Sequence, residues 1–226
     1  MAWAGRGWHH TIMMHFDFFP SLPVLVAYSA AVFFIAITPG PDMALFISRT
    51  VSGGRRAGFA AMLGASAGLI VHALLAAFGL SALLAASATA FTIVKFVGAA
   101  YLVWLAIGAV RHGSSFHIQE APQEQRPFSR DFLVGLGINL TNPKVVMFFV
   151  TFLPQFVEAG DAQASARLLF LGLWFLMIGM PVSGAIIVMA GRFTTFMQSS
   201  PRVMRGFDYG FAALMTAFAA RLLFAR

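Results

Sequence analysis

A chain of 226 residues, 59% of them hydrophobic and 10% charged, with a mean hydropathy of +0.82, cannot hide its apolar surface in a water-soluble fold, where roughly 25% of residues carry charge. The net charge of +7 does not point to nucleic acid, because the basic residues lie scattered at the ends of apolar runs rather than gathered on one face. Cysteine is absent, which removes disulfides, thiolate metal sites and thiol relays.

In chain order, residues 1–16 hold Arg6, Trp8, His9 and His10 but no compact apolar stretch ending in a small-residue cleavage site. They read as an N-terminal extension rather than a signal peptide, with Met13 or Met14 as an alternative start. The remainder, 17–226, reads as one all-α polytopic membrane domain. A spanning helix needs about 20 largely apolar residues, and apolar runs at 22–47, 59–80, 91–110, 132–157, 168–190 and 203–224 supply six candidate transmembrane helices. The connections are then 48–58, 81–90, 111–131, 158–167 and 191–202. The stretch 111–131 is the longest, most polar and proline-containing, and it divides the chain into halves at 22–110 and 132–224. Three spans per half is an odd number, so halves related in fold must be inverted repeats.

Loops rich in Lys and Arg stay in the cytoplasm. The odd-numbered loops and adjoining span ends hold nine arginines, at 49, 55, 56, 111, 126, 130, 192, 202 and 205, against four at 6, 167, 221 and 226 elsewhere. Loop 111–131 is therefore expected inside and both termini in the periplasm. Lys95, at the outer start of the third span, reads as a snorkelling residue.

The first and fourth spans are interrupted, by Thr38-Pro39-Gly40-Pro41-Asp42 and by Asn139-Leu140-Thr141-Asn142-Pro143-Lys144. A proline removes a backbone donor and clashes with the preceding turn, and freed backbone groups at membrane depth need protein, water or solute partners. Paired breaks in matching helices of two halves therefore mark a midplane binding site, with Thr38, Pro39, Gly40, Pro41, Asp42, Asn139, Asn142, Pro143 and Lys144 as its residues. Asp42 and Lys144 follow their prolines with opposite charge. They could pair with each other or engage the ammonium and carboxylate of an amino acid, and the restarted helix N-termini would add positive partial charge. The structural alternatives are a packing kink, a first-turn Asp42 that stabilises its own helix dipole, a snorkelling Lys144, and asparagines that close their own break. His72, near the middle of the second span, could relay protons or form an interhelical contact. Asp208, three residues after Arg205, suits a plain ion pair.

Gly64-Ala65-Ser66-Ala67-Gly68 matches a hydrolase string, but it lies in a continuous apolar helix rather than a strand-turn-helix, and reads better as small-residue helix packing. Gly206 and Gly210 share that spacing, so either pair could seat a helix partner or a second copy of the chain. No phosphate-binding loop is present. No cofactor and no metal ligand set is implied, and no converging nucleophile and base apart from Ser66 with His72.

The sequence resembles the LysE/RhtB family of bacterial amino-acid exporters, the LysE-type translocators. The resemblance spans 16–226 and rests on Thr38-Pro39-Gly40-Pro41-Asp42, the stretch 64–80 with His72, Gly98-Ala99-Ala100-Tyr101-Leu102, the Asn139 to Lys144 element and Phe152-Leu153-Pro154-Gln155-Phe156. It implies an inner-membrane protein that exports amino acids or related metabolites at the expense of the proton motive force. It also carries the family's proline-glycine-proline motif to Pro39, Gly40 and Pro41, and its asparagine-proline element to Asn142 and Pro143. The expectation is a secondary transporter, not an enzyme, that alternates access between its halves, with Asp42 and then His72 as candidate proton carriers. A passive small-solute channel and an intramembrane enzyme are the alternatives.

Overall fold

A computed structural model describes residues 19–82, 87–112, 126–157, 161–192, 195 and 200–224. The N-terminal extension, most of loop 111–131, the side chain of Lys95 and both Met13 and Met14 lie outside the described residues. Among those described the chain is helical throughout: α1 (Leu22–Ile37), α2 (Pro41–Leu75), α3 (Ala88–His112), α4 (Phe128–Thr141), α5 (Pro143–Met147), α6 (Ala164–Val188) and α7 (Pro201–Phe224). A π-helical turn, Ala76–Leu80, extends α2, and α5 runs on through a π turn, Phe148–Phe152, into a 3-10 turn, Leu153–Phe156.

Among the described residues, two helices are long and apolar enough to cross a membrane, Pro41–Leu80 and Ala164–Val188. The pair Phe128–Thr141 and Pro143–Phe156, bent by 50°, makes a third if taken as one broken span. Leu22–Ile37 and Phe96–Arg111 are shorter apolar helices.

The two interruptions obey one local rule. The residue before a proline is pushed out of the helical region, and the proline, needing no N–H, opens the next helix. Thr38 is extended at φ −72°, ψ 125°, Gly40 is fully extended, and Pro41 opens α2. Asn142 is extended at φ −69°, ψ 110°, and Pro143 opens α5.

The expected loop 48–58 is instead helical apart from one residue. Gly54, at φ 79° and ψ 174°, kinks α2, and only glycine takes that conformation without strain. A straight helix from Pro41 to Leu80, 40 residues long, would measure about 60 Å, twice the hydrocarbon thickness. Gly54 divides it into a limb that continues α1 and a limb, 55–75, that returns.

Contacts fix the direction of each helix. Tyr28 donates to the carbonyl of Leu171, and Trp174 donates to Ser29, so α1 and α6 run side by side in one direction. Gly135 of α4 abuts Ala61 and Asn139 abuts Gly68, so α4 runs with the returning limb of α2. Gly172 meets Ala73 while Gly184 faces Phe59, so that limb opposes α6. Arg205, near the start of α7, donates to the carbonyl of Val110 near the end of α3, an antiparallel pair. Asp208, three residues on, is buried.

Lipid offers no hydrophobic drive between helices, so van der Waals fit and small residues decide the packing. Tyr28, Phe148, Phe152, Phe156 and Phe175 form the aromatic centre of the main core, with Tyr28 and Phe156 edge to face at 5.1 Å. Gly64 and Gly68, read as possible seats for another copy, are used within the chain: Gly64 lies against Phe132 and Leu136, and Gly68 against Asn139. Gly210 faces Phe34, and Gly206 has open space around it.

Candidate functional site

The buried face of α4 consists of Asp131, Gly135 and Asn139, spaced four residues apart so that they line one stripe. Each does something different. Gly135 lets the α2 backbone approach, Asn139 reaches the proline breaks, and Asp131 accepts from Arg49 Nε at 2.7 Å with side chains 6% and 1% exposed. Arg49 also donates to Ser52 at 3.2 Å. Asp131 and Asn139 lie about 12 Å apart along the helix, so the ion pair and the breaks are distinct places on one face.

At the first break the missing hydrogen of Pro39 leaves the carbonyl of Ile35 without its helical partner. Lys144 supplies it: Nζ donates to Ile35 O at 3.0 Å and to Thr38 O at 2.9 Å. The second break mirrors this. Pro143 has no hydrogen for Asn139 O, which accepts instead from the backbone N–H of Asn142 at 3.1 Å and faces His72 Nε2 at 3.4 Å. A basic side chain from the opposite half of the chain thus stands at the Ile35 carbonyl and at the Asn139 carbonyl. Asn142 closes its own break, its Oδ1 accepting from the Lys144 backbone N–H at 3.0 Å, and Thr38 Oγ1 turns back onto Phe34 O at 2.6 Å.

The two breaks also meet through Asp42, whose Oδ2 accepts from Asn139 Nδ2 at 2.9 Å. Of the three expected roles for Lys144, pairing with Asp42, engaging a solute carboxylate and snorkelling, the first and last do not describe its contacts, because Nζ turns inward to the carbonyls. A carbonyl stripped of its donor is costly to leave unmet inside a membrane, and the Lys144 ammonium meets two carbonyls at once. Gly40 permits the approach, since a Cβ there would stand 3.1 Å from Lys144 Nζ.

Beside this junction lies a cavity of about 60 Å³, room for a few waters, lined by Thr38, Asp42, Asn139 and Lys144 among the expected residues. Pro39, Gly40, Pro41, Asn142, Pro143 and His72 do not line it. Its remaining wall was not anticipated as a site: Ser66 and Ser183 are polar, and Met43, Phe46, Met62, Leu69, Phe175, Met180 and Ile186 are apolar. Ser66 donates to Met62 O at 2.9 Å and His72 faces Asn139, so these two do not form a nucleophile-base pair. Two acceptors at the junction, Asp42 Oδ1 and Asn139 Oδ1, are buried with no hydrogen-bond partner. A second hollow of about 270 Å³ lies beside Gly53, Arg56, Arg126 and Asp131. The Arg49–Asp131 pair escaped sequence reading because 82 residues separate its members; the i, i+4 spacing of Asp131, Gly135 and Asn139 was the available signal.

Comparison with known proteins gives a consistent picture. A family model for LysE type translocators matches residues 33–226. A homoserine/homoserine lactone efflux protein of Salmonella typhimurium is 30% identical over 200 residues, covering 88% of this chain and 96% of the relative. A leucine efflux protein of an Enterobacter species is 27% identical over 199 residues, covering 86% and 92%. An uncharacterized membrane protein of Vibrio cholerae is 37% identical over 137 residues, covering 60% and 65%. No solved structure matches the chain.

Proposed function

The chain belongs to the LysE type translocator family, and on that premise we propose that it is a secondary active exporter, driven by the proton motive force, of amino acids or closely related amino metabolites across the bacterial inner membrane. The observation that carries this reading is the meeting of the two proline breaks beside a partly polar cavity, with Lys144 on the carbonyls of Ile35 and Thr38 and Asn139 on Asp42. Broken backbone at membrane depth lines solute paths in transporters built from repeats. The relatives named for efflux of homoserine, its lactone and leucine supply the solute class.

In this reading six spans form two inverted three-helix halves, 22–110 and 132–224, joined by a cytoplasmic loop at 111–131, with both termini periplasmic. The opposed directions of α1 and α4 support it, because matching helices of inverted repeats must run oppositely. The halves rock about the junction to alternate access. Asp42 carries the coupling proton, with His72 as the second candidate.

The test is overexpression with metabolite profiling of the medium, followed by transport of the accumulating solute in everted vesicles. Accumulation of one or more amino acids outside, abolished by a protonophore and by Asp42→Ala, supports the proposal. Flux that follows the solute gradient and ignores the protonophore makes the chain a passive channel, and pH-driven transport that survives Asp42→Ala removes that residue from coupling.

A further inference from the structure

The hollow of about 270 Å³ at Gly53 lies apart from the proline junction, at the point where two helices begin. The returning limb of α2 starts just past Gly54, and α4 starts at Phe128 with Pro127 in the cap position and no side-chain cap. Pro127 and Phe128 both stand in the wall, so the hollow meets the positive partial charge of an uncapped helix of 14 residues. Two of the three charged wall residues are arginines, Arg56 and Arg126. Arg56 is exposed and has no hydrogen bond or ion pair among the described residues. The third, Asp131, is 1% exposed. Its Oδ1 accepts from Arg49, while its Oδ2 is buried without a hydrogen-bond partner. A ligand suited to this wall therefore brings an oxyanion for the arginines and the helix start, and a donor for Asp131.

A free phosphodiester and a lipid headgroup both offer that oxyanion, and the surroundings favour the lipid. Phe128 is 41% exposed although it belongs to the wall, and Val51 on α2 and Leu133 on α4 are 56% and 61% exposed. Exposed apolar side chains on membrane helices face acyl chains, so the hollow opens where the lipid-facing surface ends, at headgroup depth. This is also an arginine-rich end of the bundle, where Arg55 and Arg130 are exposed too, and basic pockets between membrane helices take anionic headgroups. We propose that the hollow is a binding site for an anionic phospholipid whose headgroup carries a hydroxyl, of the phosphatidylglycerol type. The phosphodiester lies on Arg56, Arg126 and the start of α4, and a headgroup hydroxyl donates to Asp131 Oδ2. Phosphatidylcholine offers the same phosphate but neutralises it with a cation that has no donor, so it meets neither requirement.

The site does not depend on what the chain transports, so its test is binding. The full chain, purified and delipidated in detergent, is titrated by native mass spectrometry with three lipids of identical acyl chains. These are phosphatidylglycerol, phosphatidylcholine and phosphatidylmethanol, the last having the charge without the hydroxyl. Phosphatidylglycerol is expected to bind at least about tenfold more tightly than phosphatidylcholine, and at least about threefold more tightly than phosphatidylmethanol, as loss of charge-assisted hydrogen bonds implies. Arg56→Gln should remove most of the first difference, whereas Arg55→Gln, which deletes the same charge one residue away, should leave it intact. Glycerophosphoglycerol, the headgroup without its chains, should displace the lipid only at about hundredfold excess or more. If phosphatidylcholine or phosphatidylmethanol binds as tightly as phosphatidylglycerol, or if the two arginine variants lose equally, the binding is general surface attraction and the site is overturned. Displacement by glycerophosphoglycerol at equal concentration would overturn a lipid as the occupant. The order of the three lipids on the unaltered chain decides the matter even if Arg56→Gln does not fold.

Discussion

Replacing Gly135 by alanine tests the packing on which the junction depends. A Cβ at that position would lie 2.0 Å from the carbonyl oxygen of Ala61 and 2.8 Å from its carbon, about 1.4 Å short of ordinary contact with the oxygen. The obstacle is backbone, so no side chain can swing aside and α4 must move away from α2. Overpacking of this kind costs about 1–3 kcal/mol. Gly137, two positions along the same helix, has nothing within 4 Å of its notional Cβ, and alanine there should instead gain the roughly 1 kcal/mol by which it exceeds glycine as a helix former. The two variants differ by one methyl group each and should separate by about 2–4 kcal/mol, an apparent melting difference on the order of 5–10 °C. The chain has no cysteine, so thiol dyes report nothing, and the assay is the fraction still monodisperse by size-exclusion after heating in detergent. A Gly135→Ala protein that melts at or above Gly137→Ala would refute the close approach of α2 and α4.

Two further outcomes follow from the same face of α4. Arg49→Ala strips the partner from a carboxylate that is 1% exposed, and breaking a buried pair from one side costs about 3–5 kcal/mol. It should lower thermal stability far more than Arg55→Ala, whose exposed guanidinium meets only the Val188 carbonyl, and the double variant Arg49→Ala with Asp131→Ala should regain part of the loss; equal melting of the two single variants would count against the pair. Gly68→Ala places a Cβ 2.6 Å from Asn139 Oδ1, which forces that side chain to rotate away from Asp42, so transport should fall by about tenfold or more with a smaller loss of melting temperature than in Gly135→Ala. Transport at the unaltered rate would mean that the Asn139–Asp42 contact is dispensable.

Much of this arrangement was legible beforehand, and the residues concerned explain why. Thr38 and Asn142 precede prolines, and the exclusion of such residues from helical geometry is steric and local, so both breaks could be placed to the residue. The apolar runs located the helices for a comparable reason. The expected connection at 48–58 misled because Arg55, Arg56 and the glycine pair look like a loop, whereas a single rotation at Gly54 turns the chain and leaves helix on both sides. Gly64 and Gly68 were recognised as packing residues, but spacing alone does not say whether the surface they admit belongs to the same chain or to another.

What the sequence by itself determined is therefore the helical, membrane-compatible character, the positions of the two breaks and the opposite charges beside them, all consequences of side-chain chemistry acting over a few residues. The tertiary structure alone decided that Lys144 serves the Ile35 carbonyl freed by Pro39, together with that of Thr38, rather than Asp42, that Asn139 and not Lys144 donates to the Asp42 carboxylate, and that Asp131 pairs with Arg49. Each of those choices joins positions some 80 to 110 residues apart, and which donor reaches which acceptor depends on how closely two helices approach, a distance set by glycines whose partners lie elsewhere in the chain.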